Sequence, residues 1–553
     1  MAGWLRAVGA AAWGRVRQDA QFGAGSVEKL LGALPVVAGF ASRLGIRDIV
    51  DDACPVRDLA ELTHGQVIEA LVANRLTSPS PLVHVQSWAR DWAVGEVLGV
   101  EPGLLNDDRI GRALDAIAPH LDQIAGSVGV AAIAAFGIDV TRLHWDMTSV
   151  SVHGEYAQNE DGFPVPGFGH PKDRRPDLKQ VQAGIAVSGD GGIPVFHRAF
   201  DGGAGEVSQV IPVMKALQQM ATQRRLLIVG DSKLISYANL AAMDGDGVTF
   251  VAPASKTYVP AAQLAGLTVE QATRVDYVAQ RDQPGPAGRR GRWHVAEDTM
   301  RLAGPRKSDP VLTLRRVFVH SSARAEAAGK ARALKLERAR DDLERLERGL
   351  GSRHYPTEDK VSARIAVIAS QRRVGAYLQA RAGTGPGAGK PTLTWRFDQD
   401  AIDAEAATDG WYALLTNLDA GEADTARVLI LYKGQEAVER RYAAFKGPLA
   451  VAALFLKSNR RIAALVTVIC LALLIFCLIE RQARNSLAGQ DKTKVEGLYA
   501  GRPAIPTGRL ILGALATMKI IPARGPDPPI IPQPTPLQLR LLDLLGIDPR
   551  QLR

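Results

Sequence analysis

Apolar residues between Val27 and about residue 135 recur at three- and four-residue spacing, in VEKLLGALPVVAGFASRLG, GQVIEALVANRL and DDRIGRALDAIAPHLDQIAG. That spacing lines one face of a helix, and Thr77-Ser78-Pro79-Ser80-Pro81 interrupts it, so the segment predicts a helical domain. At Thr141 the period drops to two. RLHWDMTSVSVHG, VQAGIAVS and GIPVFHRAF are rich in β-formers, and Gly189-Asp190-Gly191-Gly192 between the last two signals a hairpin. An amphipathic helix (VSQVIPVMKALQQMATQ), a buried-type strand (RRLLIVGD), another helix and the strand VTFVAPA follow. Antiparallel strands and then alternating helix and strand predict a mixed α/β architecture.

The regularity breaks from about 256 to 404. This stretch holds the loop QRDQPGPAGRRGRWH, a long charged helix near Ala323–Gly349 and the Gly-rich run GTGPGAGKP at 383–391. GWYALLTNL (410–418) and the helical ADTARVLILYKGQEAVERRYAAFKG then resume the α/β pattern. The expected division is an N-terminal extension (1–25, disordered), a helical domain (26–135), the first part of a catalytic core (136–255), an insertion (256–404), the second part of the core (405–485) and a Pro-rich tail (486–553) with one helical segment, LQLRLLDLLG.

Composition narrows the classes. Hydrophobic residues at 46% and charged residues at 23% are globular proportions, which exclude wholesale disorder and a polytopic membrane protein. Lys plus Arg outnumber Asp plus Glu by 67 to 58, and the resulting +9 suits an anionic partner such as nucleic acid or a membrane surface. In the helical domain, arginines at 75, 90, 109 and 112 make DNA binding an expectation. Three cysteines (Cys54, Cys470, Cys477) exclude a disulfide framework and point to a reducing cytosol. Ile462–Ile479 (IAALVTVICLALLIFCLI) is uncharged and, at 1.5 Å per residue, spans about 27 Å, close to the ~30 Å hydrocarbon core of a bilayer. By itself it is either a membrane span or a helix buried on all sides.

Three acids stand out. Asp146 lies inside the first strand pattern (HWDMTS), and Asp231 ends the strand LLIVGD, where open α/β sheets place active groups. A salt-bridged strand acid and a turn cap are the plain alternatives. Glu439 lies in YKGQEAVERRYAAFK. On one continuous helix Tyr432, Glu439 and Lys446, seven residues apart, share a face with Gln435 one turn before the Glu, and a solvated face is the plain alternative. Two strand-borne Asp and a helix-borne Glu offer hard oxygen ligands suited to two Mg²⁺ (or Mn²⁺) ions of phosphodiester chemistry. Weaker signals are GRRGRWH, which sets Arg289, Arg290 and Arg292 beside Trp293; Trp395; the turn Asp201–Glu206 before a helix; and Lys233 just past Asp231. In the charged helix Leu336, Leu343, Leu346 and Leu350 form a stripe that fits either a dimer arm or a contact within its own domain.

HWDMTS, LLIVGDSKLIS and Tyr432-x2-Gln435-x3-Glu439-x6-Lys446 resemble the DDE transposases of bacterial insertion sequences, in the IS-four superfamily and its sixteen-thirty-four-like group. That group's signature on the last helix has Arg where this chain has Gln435. The likeness extends to LGALPVVAGFASRLGIRDIVD, LTHGQVIEALVANRL, LNDDRIGRALDAI and KSNRRIAALVTVICLALLIFCLIERQAR. It implies an RNase H-like core interrupted by a long insertion, with Asp146, Asp231 and Glu439 as catalytic ligands of two metal ions. Tyr432, Gln435, Lys446, Lys233, Arg289, Arg290, Arg292 and Trp293 would be DNA contacts, either tryptophan able to stack a flipped base. It further implies double-stranded DNA (terminal inverted repeats and target) as partner, a homodimer on DNA, an apolar 462–479 helix packed within the protein rather than in a membrane, and a cytoplasmic, nucleoid-associated location. A DNA-binding relic without catalysis and a single-span membrane protein are the alternative functions.

Overall fold

The computed structural model describes residues 28–57, 59–156, 159–169, 175–221, 225–279, 290–385, 389–449, 456–522 and 529–547. The predicted N-terminal extension and Arg289 lie outside them. The chain forms two compact units, one from residues 1–230, 245–248 and 434–553 and the other from 231–244 and 249–433.

The first unit begins with helices. α1 (Leu34–Arg43) and α2 (Ile46–Ala53) precede α3 (His64–Thr77), which opens on a capping box. The Thr63 side chain takes the Gln66 N–H while the Gln66 side chain takes that of Thr63, so two otherwise orphaned donors are satisfied. α4 (Asp107–Ile117) is capped by Asn106 and carries Asp107 and Asp108 in its first turn, where the helix dipole favours negative charge. α5 (Leu121–Phe136) ends at Gly137 in a left-handed conformation.

Four strands of the large mixed sheet follow, β1 (Arg142–Val152), β2 (Lys179–Ser188), β3 (Pro194–Phe200) and β4 (Leu227–Val229), in the order β3-β2-β1-β4. β1 and β2 are antiparallel, as are β2 and β3, whereas β1 and β4 run parallel. The β2–β3 turn places Gly191 and Gly192 at φ +89° and +63°, backbone that glycine adopts without steric cost. α6 (Glu206–Ala221) links β3 to β4.

In the second unit, α7 (Tyr237–Gly245) leads to a wholly antiparallel set of strands, β5 (Thr249–Pro253), β6 (Thr273–Val275), β7 (Trp293–Leu302), β8 (Leu312–Ser321) and β11 (Trp411–Thr416), in the order β5-β11-β8-β7-β6. Between β8 and β11 lie α8 (Ser322–Arg348), α9 (Glu358–Arg372) and a separate hairpin of β9 (Leu378–Thr384) and β10 (Pro391–Phe397). Leu336, Leu343, Leu346 and Leu350 of the predicted stripe pack in one cluster with Val361 and Ile368 of α9 and Leu393 of the hairpin. The stripe is therefore a contact within its own domain. α10 (Thr425–Lys433) closes the unit.

The chain returns to the first unit with α11 (Glu436–Lys446) and α12 (Asn459–Ala488). Sequence spacing predicts one continuous helix through Tyr432 and Lys446. The structure corrects this, because Gly434, a poor helix former, and Gln435 separate α10 from α11. Tyr432 thus sits on the earlier helix, and only Glu439 and Lys446 share a face.

α12 is the core of the first unit. By length and composition it could cross a membrane, yet its whole apolar window is buried. α1, α3, α4, α5, β3, α11, α13 (Gly508–Leu515) and α14 (Pro536–Leu544) surround it. Arg460 and Arg461, which would flank a membrane span, both bind Asp115 of α4, and Arg460 also pairs with Glu160. The Pro-rich tail supplies α13 and α14 to this packing through Ile511, Leu515, Leu541, Leu542 and Leu544.

Candidate metal and nucleic-acid site

The frame of the site is β1, a strand buried along most of its length with Asp146 half-buried in its middle. The parallel register sets His144 opposite Val229. Two residues further along each chain come Asp146 and Asp231. A strand returns to the same face every two residues, so the two carboxylates emerge at one level of neighbouring, similarly directed segments. The boundary between the two units falls on the Gly230–Asp231 peptide bond, and Asp231 is carried by the end of β4. Asp146 accepts the Met147 N–H at 2.8 Å, and Asp231 caps the turn Ser232–Leu234 by accepting the Lys233 N–H at 2.9 Å.

The third acid at this place is Glu206, the first residue of α6. One carboxylate oxygen from each of Asp146, Glu206 and Asp231 lies within 4.8 Å of the others, and all three residues are half-buried. Glu206 follows the turn Asp201–Gly205, whose Gly202 a side chain would drive to 2.0 Å from the Gln180 carbonyl oxygen. Asp201 accepts the Val165 N–H and Gln180 donates to the Gly202 carbonyl, so that turn is tied to the start of β2. The sequence marks Glu206 only as the end of a glycine turn. An acid in a helix's first turn reads as an ordinary partner of the helix dipole, and nothing local distinguishes this one.

Glu439 stands outside that group and is exposed on α11. Its helix is nonetheless anchored beside Asp146. The buried Tyr442 hydroxyl reaches the main-chain oxygens of Asp146 and Ala183, and burial, followed by the Asp146 charge, holds its pKa well above the ordinary value. Gln435 uses both ends of its amide on β1. Nε2 donates to the Trp145 carbonyl at 3.1 Å, and Oε1 faces His144 Nδ1 at 3.2 Å. The His144 pKa is lowered to about 4, chiefly by burial, so the ring is neutral and donates from Nδ1. Gln435, the residue that caps α11, and Glu439 and Tyr442 within it follow one another at four and three residues, so they lie along one side of the helix.

The other predicted contacts are spread along the chain. Lys446 is half-buried in the last turn of α11. Lys233, Arg290 and Arg292 are exposed. Trp293 is buried, with Lys433 Nζ 4.1 Å from its ring centroid and Tyr277 edge-on at 5.7 Å. Tyr432 lies 6.4 Å from Tyr412 in the same cluster, with Lys433 5.8 Å from its ring. Trp395 is half-buried on the β9–β10 hairpin against Phe397.

Residues 26–122 match the family described as Domain of unknown function (DUF4277). No curated protein matches the chain. The solved structures similar to it include two transposase complexes. The piggyBac transposase synaptic complex with hairpin DNA has 8% identity and a TM-score of 0.38, over 87% of this chain and 78% of that one. The Mos1 transposase paired-end complex with the left transposon end has 11% identity and a TM-score of 0.14, over 35% of this chain and 60% of that one. At these TM-scores the functional reading rests on the chain's own residues.

Proposed function

We propose that the chain is a metal-dependent DNA transposase of the insertion-sequence type. The observation that carries this reading is the approach of the Asp146 carboxylate, in the middle of β1, and the Asp231 carboxylate, just past the end of the neighbouring β4, with Glu206 beside them. Three carboxylates fit a hard divalent cation, because oxygen ligands at 2.0–2.6 Å from one ion stand roughly 3–5 Å apart. The ligand set is Asp146, Asp231 and Glu439, the last from the α11 stripe whose neighbours already rest on β1, and Glu206 supplies a further oxygen. Bound there, two Mg²⁺ (or Mn²⁺) ions would lower the pKa of a coordinated water and stabilise the departing oxygen.

The reaction is displacement at phosphorus. A water oxygen loses its proton and bonds to the phosphorus at the element's end as the bond to the 3′ oxygen breaks and that oxygen takes up a proton; the freed 3′-hydroxyl then bonds, with loss of its proton, to a phosphorus of the second strand or of target DNA, displacing that phosphodiester's own 3′ oxygen as a hydroxyl. Lys446 holds phosphate as a point charge and Tyr432 as a hydrogen-bond donor. Lys233, Arg289, Arg290 and Arg292 extend the grip on DNA, and Gln435 fixes α11 against β1. The helical N-terminal domain binds the terminal inverted repeats, the protein acts as a homodimer on DNA, and its place is the cytoplasm, at the nucleoid.

The test is cleavage of duplex DNA taken from the ends of the element that encloses the reading frame, with Mg²⁺ or Mn²⁺. Asp231→Asn is expected to lower cleavage at least 1,000-fold, on the order of 4 kcal/mol of barrier, while DNA binding stays within about threefold. Cleavage at the wild-type rate in Asp231→Asn contradicts the assignment.

A further inference from the structure

We infer that the β9–β10 hairpin is a DNA-reading ribbon that enters the major groove, an inference that rests on the DNA-processing reading above and names the element that reads sequence. The hairpin is a two-stranded sheet of its own; its seven residue pairs run from Leu378↔Phe397 to Thr384↔Pro391. One face, with Leu378, Ala382, Leu393 and Phe397, packs on the cluster formed with α8 and α9. The opposite face presents Gln379, Arg381, Thr392, Thr394 and Arg396, all exposed. Neither strand places an acid on it. Among the described residues neither arginine makes an ion pair; Arg396 Nε donates to Gln379 Oε1 at 2.7 Å, and Gln379 in turn donates to Asp398. A shallow cavity of about 490 Å³ opens along the hairpin, lined by Gln379, Arg381, Thr394 and Arg396 of this face and by Ala380 and Trp395 between them.

These are the side chains that read base edges. Arginine pairs with guanine O6 and N7, glutamine with adenine N6 and N7, and threonine with either base or the thymine methyl. Arg381 lies opposite Thr394 and Gln379 opposite Arg396, so the two arginines sit diagonally, about 7–8 Å apart at the backbone. Two strands roughly 4.8 Å apart fit a groove about 12 Å wide; the seven pairs span about 20 Å, roughly six base pairs, and three of them (Gln379↔Arg396, Arg381↔Thr394 and Gly383↔Thr392) lie on the face offered to the groove. The major groove of double-stranded RNA is too narrow to admit them. Packing of the opposite face on two helices keeps the ribbon rigid, so little order is lost on docking.

The experiment measures binding of the full chain in EDTA, which separates it from cleavage. The probes are a duplex of the element's end, a scrambled duplex and an RNA duplex of the same sequence. Wild type is expected to prefer the end duplex. Arg381→Ala/Arg396→Ala is expected to bind that duplex at least tenfold more weakly and to lose the preference. Arg381→Lys/Arg396→Lys, which keeps charge without the planar fork, is expected to retain binding to the scrambled duplex yet lose the preference. No preference in wild type, an Ala variant equal to wild type, or RNA competing as well as DNA overturns the inference. Loss of preference in both variants with no metal-dependent cleavage by wild type overturns the catalytic reading and leaves the ribbon standing. Unchanged binding by the Ala variant alongside cleavage abolished by Asp231→Asn overturns the ribbon alone.

Discussion

Gln435 has the most legible role of any single residue near the acids. Its amide satisfies a neutral, buried His144 and the Trp145 carbonyl together. An arginine there, as the resembling group has, can still donate to the carbonyl but offers His144 Nδ1 no acceptor. Gln435→Arg is therefore expected to cost about 1–3 kcal/mol of unfolding free energy, measured by urea denaturation, because a buried donor is left unmade. An unchanged or higher stability contradicts that role.

His144 also predicts the response to acid, together with His197. Burial lowers both rings to about 4, with Arg142 lowering His144 further and Asp122 partly opposing the shift at His197. The unfolded chain takes up these protons near the ordinary histidine value of about 6.5, while the folded chain resists until about 4. Protons thus favour the unfolded state between those values, and stability is full above the upper one and falls as pH drops toward the lower. The urea midpoint is expected to fall between pH 7 and pH 4.5, with a shallower fall in His144→Gln. A midpoint insensitive to pH contradicts the assignment of neutral buried rings.

Among the elements, α12 decides whether the long apolar segment is core or membrane anchor. Ile475 and Leu473 are fully buried within the first unit. Truncating Ile475 to alanine is expected to cost about 2–5 kcal/mol, read from the denaturation midpoint. A change near zero would mean that the helix is not packed as described. Periodicity revealed α12, the β1–β2–β3 strands, the hairpin glycines and the charged α8, because each rests on local spacing and burial. The break at Gly434–Gln435 was hidden by a stretch whose other residues favour helix, with a single glycine as signal. In the tail, α14 is legible as the apolar run LQLRLLDLLG, whereas α13 is a short run next to Pro503 and Pro506 whose helical state depends on burial against α12.

The site shows the same limit. Asp146 and Asp231 were legible because a strand pattern runs up to each, and one parallel register then sets them level. Glu206 was not, since its approach depends on how the glycine turn folds back on Gln180 rather than on any pattern of its own.

For the whole molecule, the proposed DNA partner together with the net charge of +9 predicts an affinity for DNA that falls steeply between 50 and 200 mM salt. A salt-independent affinity contradicts it. The central claim concerns metal held by Asp146 and Asp231, and Mn²⁺ binding followed by electron paramagnetic resonance tests it without knowledge of the DNA sequence. Wild-type protein is expected to sequester Mn²⁺, and Asp146→Asn and Asp231→Asn each to lose at least tenfold in affinity. Equal Mn²⁺ affinity in all three proteins, with each variant folded, would contradict the account.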